Sequence, residues 1–292
     1  MSDRVAVPTP WLLRWQTHEV ALLALGMITS LALLYTRRGF NVVALEAVGS
    51  TSLYAGVIGA CRSRPSWLFR VRFLASYAFV VWFYCAVGRF TPALGTTLRD
   101  ESLLVMDQAV FGQTAALFFE RISTAWLTDL LSLCYLTYHF YLVVAVVHAA
   151  LAPSLAAQRL GIYLFTGFAV GFAGYLLVPA VGPAHTYPEL FRAPLPGGLL
   201  SRLIGEMVQA GSSRYDVFPS LHVLITCILL DHDWRNTRRR FWILIVPSIG
   251  LVISTVYLRY HYGVDVLAGL LLFLALRYTF MAFGLLEPGR SK

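Results

Sequence analysis

The sequence predicts an all-α protein, a polytopic membrane helical bundle of about eight transmembrane helices with a further helix lying along the interface. Three observations carry this. Hydrophobic residues make up 58% of the 292 positions and charged ones only 13%, far from the balance of a water-soluble domain. The apolar residues fall in runs long enough to cross a hydrocarbon core, which takes about 20 residues of helix. Short Arg-rich connections separate those runs, as expected of loops that emerge from a membrane.

Apolar windows place spans near 18–36, 40–60, 70–90, 125–151, 158–180, 217–232, 240–258 and 262–284. The first run, Val20 to Tyr35, has no small-residue cleavage site after it and reads as a retained helix. Between the third and fourth runs, segment 91–124 alternates Asp100, Glu101, Asp107, Glu120 and Arg121 with apolar residues. That is the pattern of an interfacial helix, placed to roof or flank a site. The longest polar excursion, 182–217, is rich in Pro, Gly and Ser and reads as a functional loop.

An even number of spans puts both termini on one side. Arg62, Arg64, Arg70 and Arg72, before the third span, share a side with Arg235, Arg238, Arg239 and Arg240, between the sixth and seventh. The positive-inside rule makes that side cytoplasmic, although Arg37 and Arg38 fall on the other side and run against it. The expected location is a bacterial inner or plasma membrane, with the 182–217 loop facing the periplasm or exterior.

The net charge of +8 is almost entirely arginine, Lys292 being the only lysine. The arginines cluster beside apolar segments and form no basic face with aromatic platforms, which argues against nucleic acid and for the bilayer and its anionic headgroups as partners. Cys61, Cys85, Cys134 and Cys227 show no CxxC and no paired spacing, so they read as packing residues.

Two short segments carry the chemistry. Val217-Phe218-Pro219-Ser220-Leu221-His222 reads as a helix start with Pro219 in the first turn, where its missing N–H costs nothing. The free N–H groups of such a start make an anion cradle, with Ser220 and His222 at its rim. Farther on, His261 and Asp265 lie one helical turn apart on one face, so the carboxylate can hold the imidazole in one tautomer and stabilise its charge. The 39 residues from His222 to His261 fit two spans, and that hairpin returns both histidines to one membrane face. Either histidine alone reads equally well as an ordinary interfacial residue. Together with an aspartate, which is costly inside a membrane, they read as a centre for phosphate chemistry. Tyr135, Tyr138 and His139, within the fourth span, read as interhelical hydrogen-bonding groups or as the lining of a path.

These residues resemble the phosphatidic acid phosphatase type 2 superfamily of membrane lipid phosphatases and phosphotransferases. Its Pro-Ser-Gly-His motif is similar to Pro219-Ser220-Leu221-His222, and its Ser-Arg-x5-His-x3-Asp motif to Ser254-Thr255-x5-His261-x3-Asp265. The resemblance implies a six-helix catalytic core over 67–286, leaving 1–66 as two added N-terminal helices and 287–292 as a cytoplasmic tail. It further implies that His261 attacks phosphorus to form a phosphohistidine, that Asp265 orients it, that His222 protonates the departing oxygen and that Ser220 binds phosphate. No metal and no cofactor are expected.

The sequence departs from the pattern in three places. Thr255 replaces the phosphate-binding arginine, Leu221 replaces glycine, and no Lys-x6-Arg-Pro motif is present. The departures are more similar to the branch containing inositol phosphorylceramide synthase and sphingomyelin synthases, which transfers a head group to a lipid alcohol. Replacement cations near the motifs are Arg259, Arg214 and His185. Each has a plainer reading: a snorkelling interfacial arginine, a loop arginine paired with Asp216, and a residue of a simple turn. The expected function is hydrolysis or transfer of a phosphate group on a lipid, with head-group transfer as the alternative and non-catalytic transport of a phosphorylated ligand as the rival of another class.

Overall fold

The structure, a computed structural model, describes residues 15–36, 41–61 and 68–286. Arg37, Arg38, Arg62, Arg64 and the tail 287–292 lie outside the described residues. Among the described residues there are twelve α-helices: α1 (Thr17–Thr36), α2 (Val42–Ala60), α3 (Leu68–Leu94), α4 (Asp100–Phe111), α5 (Ala116–Glu120), α6 (Ala125–Leu151), α7 (Leu155–Leu177), α8 (Pro183–Thr186), α9 (Leu199–Gly211), α10 (Leu221–Asn236), α11 (Arg238–Tyr257) and α12 (Gly263–Ala282). Seven of them, α1, α2, α3, α6, α7, α11 and α12, are long and apolar enough to cross a membrane. The protein is therefore a multi-pass membrane helical bundle.

The sixth expected span corresponds to α10, which has only 16 residues, or about 24 Å at 1.5 Å per residue. It starts at Leu221, because Ser220 has extended backbone angles and acts as the N-cap. Pro219 thus precedes the cap and is not in the first turn, as the sequence had suggested. The short α10 survives in the middle of the bundle because α6, α7, α11 and α12 all pack around it. Its Leu224, Ile225 and Ile228 are fully buried in the main core with Phe165 and Phe172 of α7.

The helix α6 supplies one wall of this core through Thr128, Leu131, Tyr135, Tyr138, Leu142 and Ala145, a 3–4 spacing that keeps one face inward for the whole span. Hydroxyls at its two ends fix its height: Thr128 and Tyr257 of α11 lie 2.9 Å apart, and the Tyr141 hydroxyl donates to Asp233 of α10 at 2.7 Å. Asp233 also holds Arg240, so the hairpin joining α10 and α11 closes on an ion pair at the end of the bundle away from the two histidines.

The N-terminal pair packs outside that centre, with α1 against α2, α3 and α7. A buried ion pair joins them: Arg72 of α3 donates through Nε and Nη2 to Glu19 of α1 at 2.8 and 2.6 Å. Arg72, expected in a cytoplasmic cluster, is therefore an internal residue. Removing one partner strands the other charge, so Glu19→Leu is expected to lower stability by about 3–5 kcal/mol, whereas Glu19→Leu with Arg72→Met recovers most of it. Thermal unfolding in detergent measures this, and an unchanged midpoint in the single variant would show that the pair contributes little.

Candidate active site

Three chain segments meet at one end of the bundle: the N-terminus of α10, the loop joining α11 to α12, and the middle of α6. The loop is built by the way α11 ends. Arg259 has φ 63°, and the N–H of Arg259 donates to Val256 O at 3.0 Å while that of Tyr260 donates to Thr255 O at 3.2 Å. These are the two bonds of a Schellman cap, with Arg259 in the left-handed position where glycine is favoured. His261 N–H also donates to Thr255 O at 3.0 Å, so the histidine follows directly from the cap.

Asp265 then starts α12 and connects the parts. Its Oδ2 accepts from Tyr262 N–H at 2.8 Å, capping the helix, and lies 3.5 Å from His261 Nδ1. That separation is ion-pair range but longer than a formed hydrogen bond. Its carbonyl oxygen accepts from Ser220 N–H at 3.1 Å, which anchors the start of α10 to the start of α12. The His222 and His261 rings pack edge to face with centroids 5.5 Å apart. His222 is held between Tyr135 and Tyr138, with ring centroids at 4.7 and 4.6 Å. These tyrosines, weak candidates in the sequence, turn out to form the wall behind the histidine, whereas His139 points away and is exposed.

Ser220 and Asp265 are fully buried and His261 nearly so, while His222 is partly exposed. Among the described residues, Ser220 Oγ, His222 Nδ1, His261 Nδ1 and Asp265 Oδ1 are buried with no hydrogen-bond partner. Unsatisfied buried polar atoms are individually costly, and these four lie on the two segments that carry the motifs, the start of α10 and the junction of α11 with α12. The first-turn N–H groups of α10 are free of intrahelical partners by geometry.

The sequence comparison agrees with the geometry: a profile of the PAP2 superfamily matches residues 101–279, more than half of the chain. The chain belongs to the PAP2 superfamily. It is accordingly a membrane enzyme of the phosphatase or phosphotransferase type. Comparison with curated proteins and with solved structures gives no match. The match starts within α4 and ends within α12, so α1, α2 and α3 lie outside the matched PAP2 segment.

Two of the three departures from the PAP2 motifs have local explanations. Leu221, in place of glycine, is buried against α7, where a Cβ on Gly171 would stand 2.2 Å from its side chain, so the facing helix makes room for it with a glycine. Thr255, in place of arginine, is fully buried and its hydroxyl donates to Val252 O at 2.8 Å. The candidate cations divide. Arg259 is buried beside the centre, donating to Ala193 O at 2.9 Å, 3.5 Å from Glu120 and stacked on Phe191. Burial lowers its affinity for the proton and the Glu120 carboxylate opposes that. Its guanidinium lines an open pocket of about 540 Å³ with Gln113, Arg121, Ser123 and Arg192. Arg214 is exposed, and Asp216 bonds Tyr84 at 2.5 Å and Ser212 at 3.1 Å, so the Arg214–Asp216 pair considered from the sequence does not form. His185 is exposed on α8, a single turn.

Sequence reasoning missed two contributors. One is the amphipathic α9, within the segment read as loop, which caps on Asp129 through Gly198 and Ser201 N–H and packs Val208 toward Tyr135 and Tyr257. Its signal was the spacing of Leu200, Ile204 and Val208. The other is the role of Asp100 and Asp107, whose i, i+7 spacing puts both on the inner face of α4.

Both variants lose the guanidinium contacts, but because position 259 is left-handed Arg259→Val is expected to be less stable than Arg259→Gly by about 1–2 kcal/mol. Unfolding midpoints of the two variants check this. Equal stability of glycine and valine would contradict the cap.

Proposed function

We propose that this PAP2 protein hydrolyses or transfers a phosphate group on a lipid substrate through a covalent phosphohistidine. The observation that carries the reading is the packing of the His222 ring on His261 with Asp265 behind His261, at the start of α10, which Ser220 N–H ties to the Asp265 carbonyl. In the first half-reaction the unprotonated His261 nitrogen attacks phosphorus, the bond to the departing alcohol breaks, and His222 gives that oxygen its proton. Asp265 balances the charge that develops on the His261 ring. In the second half-reaction water or an alcohol attacks the phosphohistidine, and His222, now unprotonated, takes the proton of the attacking hydroxyl. The first-turn N–H groups of α10 and the Ser220 hydroxyl hold the non-reacting phosphate oxygens, and Arg259 supplies positive charge at the pocket wall.

Head-group transfer to a lipid alcohol is the second reading, and one observation favours it. With the Thr255 hydroxyl turned to Val252 O, position 255 offers no side-chain cation and Arg259 is the one guanidinium within the third motif, which suits a phosphodiester better than a doubly charged monoester. The site is further proposed to face the periplasm or exterior, because the arginines of the loop 235–240 stand at the opposite end of the bundle.

Purified protein in mixed micelles is tested with phosphatidate, and separately with phosphatidylinositol and a short-chain ceramide. His261→Ala is expected to reduce turnover to background, and His222→Ala to cost about 10²–10⁴-fold. Equal background turnover by wild-type and His261→Ala on both donors would sink the enzymatic reading and leave transport. Product lipid without free phosphate identifies transfer. Asp265→Asn removes the charge that stabilises the imidazolium, so a large fall in kcat is expected, and a wild-type kcat would break the assigned pairing. Arg259→Gly should weaken binding of the anionic donor, seen as a higher KM with the fold intact.

A further inference from the structure

The interfacial helix α4 presents two carboxylates to the protein interior, both essentially buried, and neither forms an ion pair among the described residues. Their partners are main-chain N–H groups of the catalytic face. Asp107 Oδ1 accepts from Val264 N–H at 2.9 Å, with Gly263 N–H also directed at the carboxylate, and Asp107 Oδ2 accepts from Ala115 N–H at 2.7 Å. Asp100 accepts from Val181 and Gly182 N–H at 3.0 and 2.8 Å and from the Tyr262 hydroxyl at 3.0 Å. The two carboxylates therefore grip residues 262–264, the link between His261 and Asp265.

The packing leaves that link no slack. A Cβ on Gly263 would stand 2.5 Å from the Phe111 ring and 2.8 Å from the Ala115 Cβ, so the corner between α4 and α5 rests directly on the first residue of α12. Free N–H groups at a helix start are met ordinarily by a residue just before the helix. Here Asp265 meets the Tyr262 N–H and a carboxylate 157 residues away in sequence meets the Val264 N–H. The position of the first turn of α12 is consequently set by α4.

We propose that Asp107 is a positioning residue of the catalytic centre: through Gly263 and Val264 it fixes the first turn of α12 and so the distance between His261 and Asp265. Asp100 supports the same turn from its other side through Tyr262. The proposal rests on the reading of His261 and Asp265 as the reacting pair. Because each oxygen of Asp107 accepts from a main-chain N–H, an amide at this position turns its NH2 toward a donor in either orientation, and Asp107→Asn releases the grip without adding bulk.

Asp107→Asn is expected to lower kcat for the donor that wild-type turns over by about 10²-fold while KM stays near the wild-type value, since a displacement of the reacting groups impairs the step and not the binding. Glu46→Gln is the control. It removes a carboxylate of α2, outside the PAP2-matched segment, that accepts from Trp82 Nε1 and Arg89 Nε, and its kcat is expected to stay near wild-type. A wild-type kcat in Asp107→Asn, or an equal kcat loss in both variants, overturns the proposal. Should wild-type turn over neither phosphatidate nor phosphatidylinositol, the functional reading fails and the grip is tested separately by diethylpyrocarbonate. Asp107→Asn is then expected to speed modification of the buried His261, followed by mass spectrometry, relative to wild-type and to Glu46→Gln. An unchanged rate overturns it.

Discussion

Asp265 is the constraint on which the rest of this end of the molecule depends. One carboxylate oxygen caps α12, the same oxygen faces the His261 ring, and the main-chain carbonyl holds Ser220 at the start of α10. The residue thus joins two helix starts and a loop, so local structure and chemistry share one set of bonds. An aspartate in an apolar helix is stable only where such donors surround it, and here the helix N-terminus supplies them.

Packing turns that local arrangement into a site. The short α10 is packed by α6, α7, α11 and α12, and its start is held beside the α11–α12 loop by the Ser220 N–H bond to Asp265 O. Tyr135 and Tyr138 brace His222 from α6, and the left-handed Arg259 aims the chain so that His261 faces inward. His222 keeps a partly exposed edge beside the buried His261 and Asp265.

The spans were legible from hydropathy because a bilayer demands long apolar runs, and the observed helices fall within a few residues of those windows. The motif residues were legible too, since His261 and Asp265 are one turn apart in sequence. Three features were not. Pro219 looked like a first-turn residue, but the extended backbone of Ser220 starts the helix after it. Arg72 looked like a cytoplasmic topogenic charge, but its partner Glu19 lies on another helix. The helix α9 hid in a segment dominated by turn-forming residues, because its inner face is only three residues wide.

By itself, then, the sequence determined the class of structure and the chemical types brought to it: apolar spans, two histidines and an aspartate, and their return to one face by a hairpin of two spans. These follow from periodicity and length, which act within a segment. Only the tertiary structure decided how the reacting groups are held. The Leu221–Gly171 fit, the Thr255 hydroxyl turned back on its own helix, and the hold of Asp100 and Asp107 on residues 262–264 all depend on segments distant in sequence. A buried donor or acceptor takes whichever partner the packing brings to it, and spacing along a single chain does not contain that information.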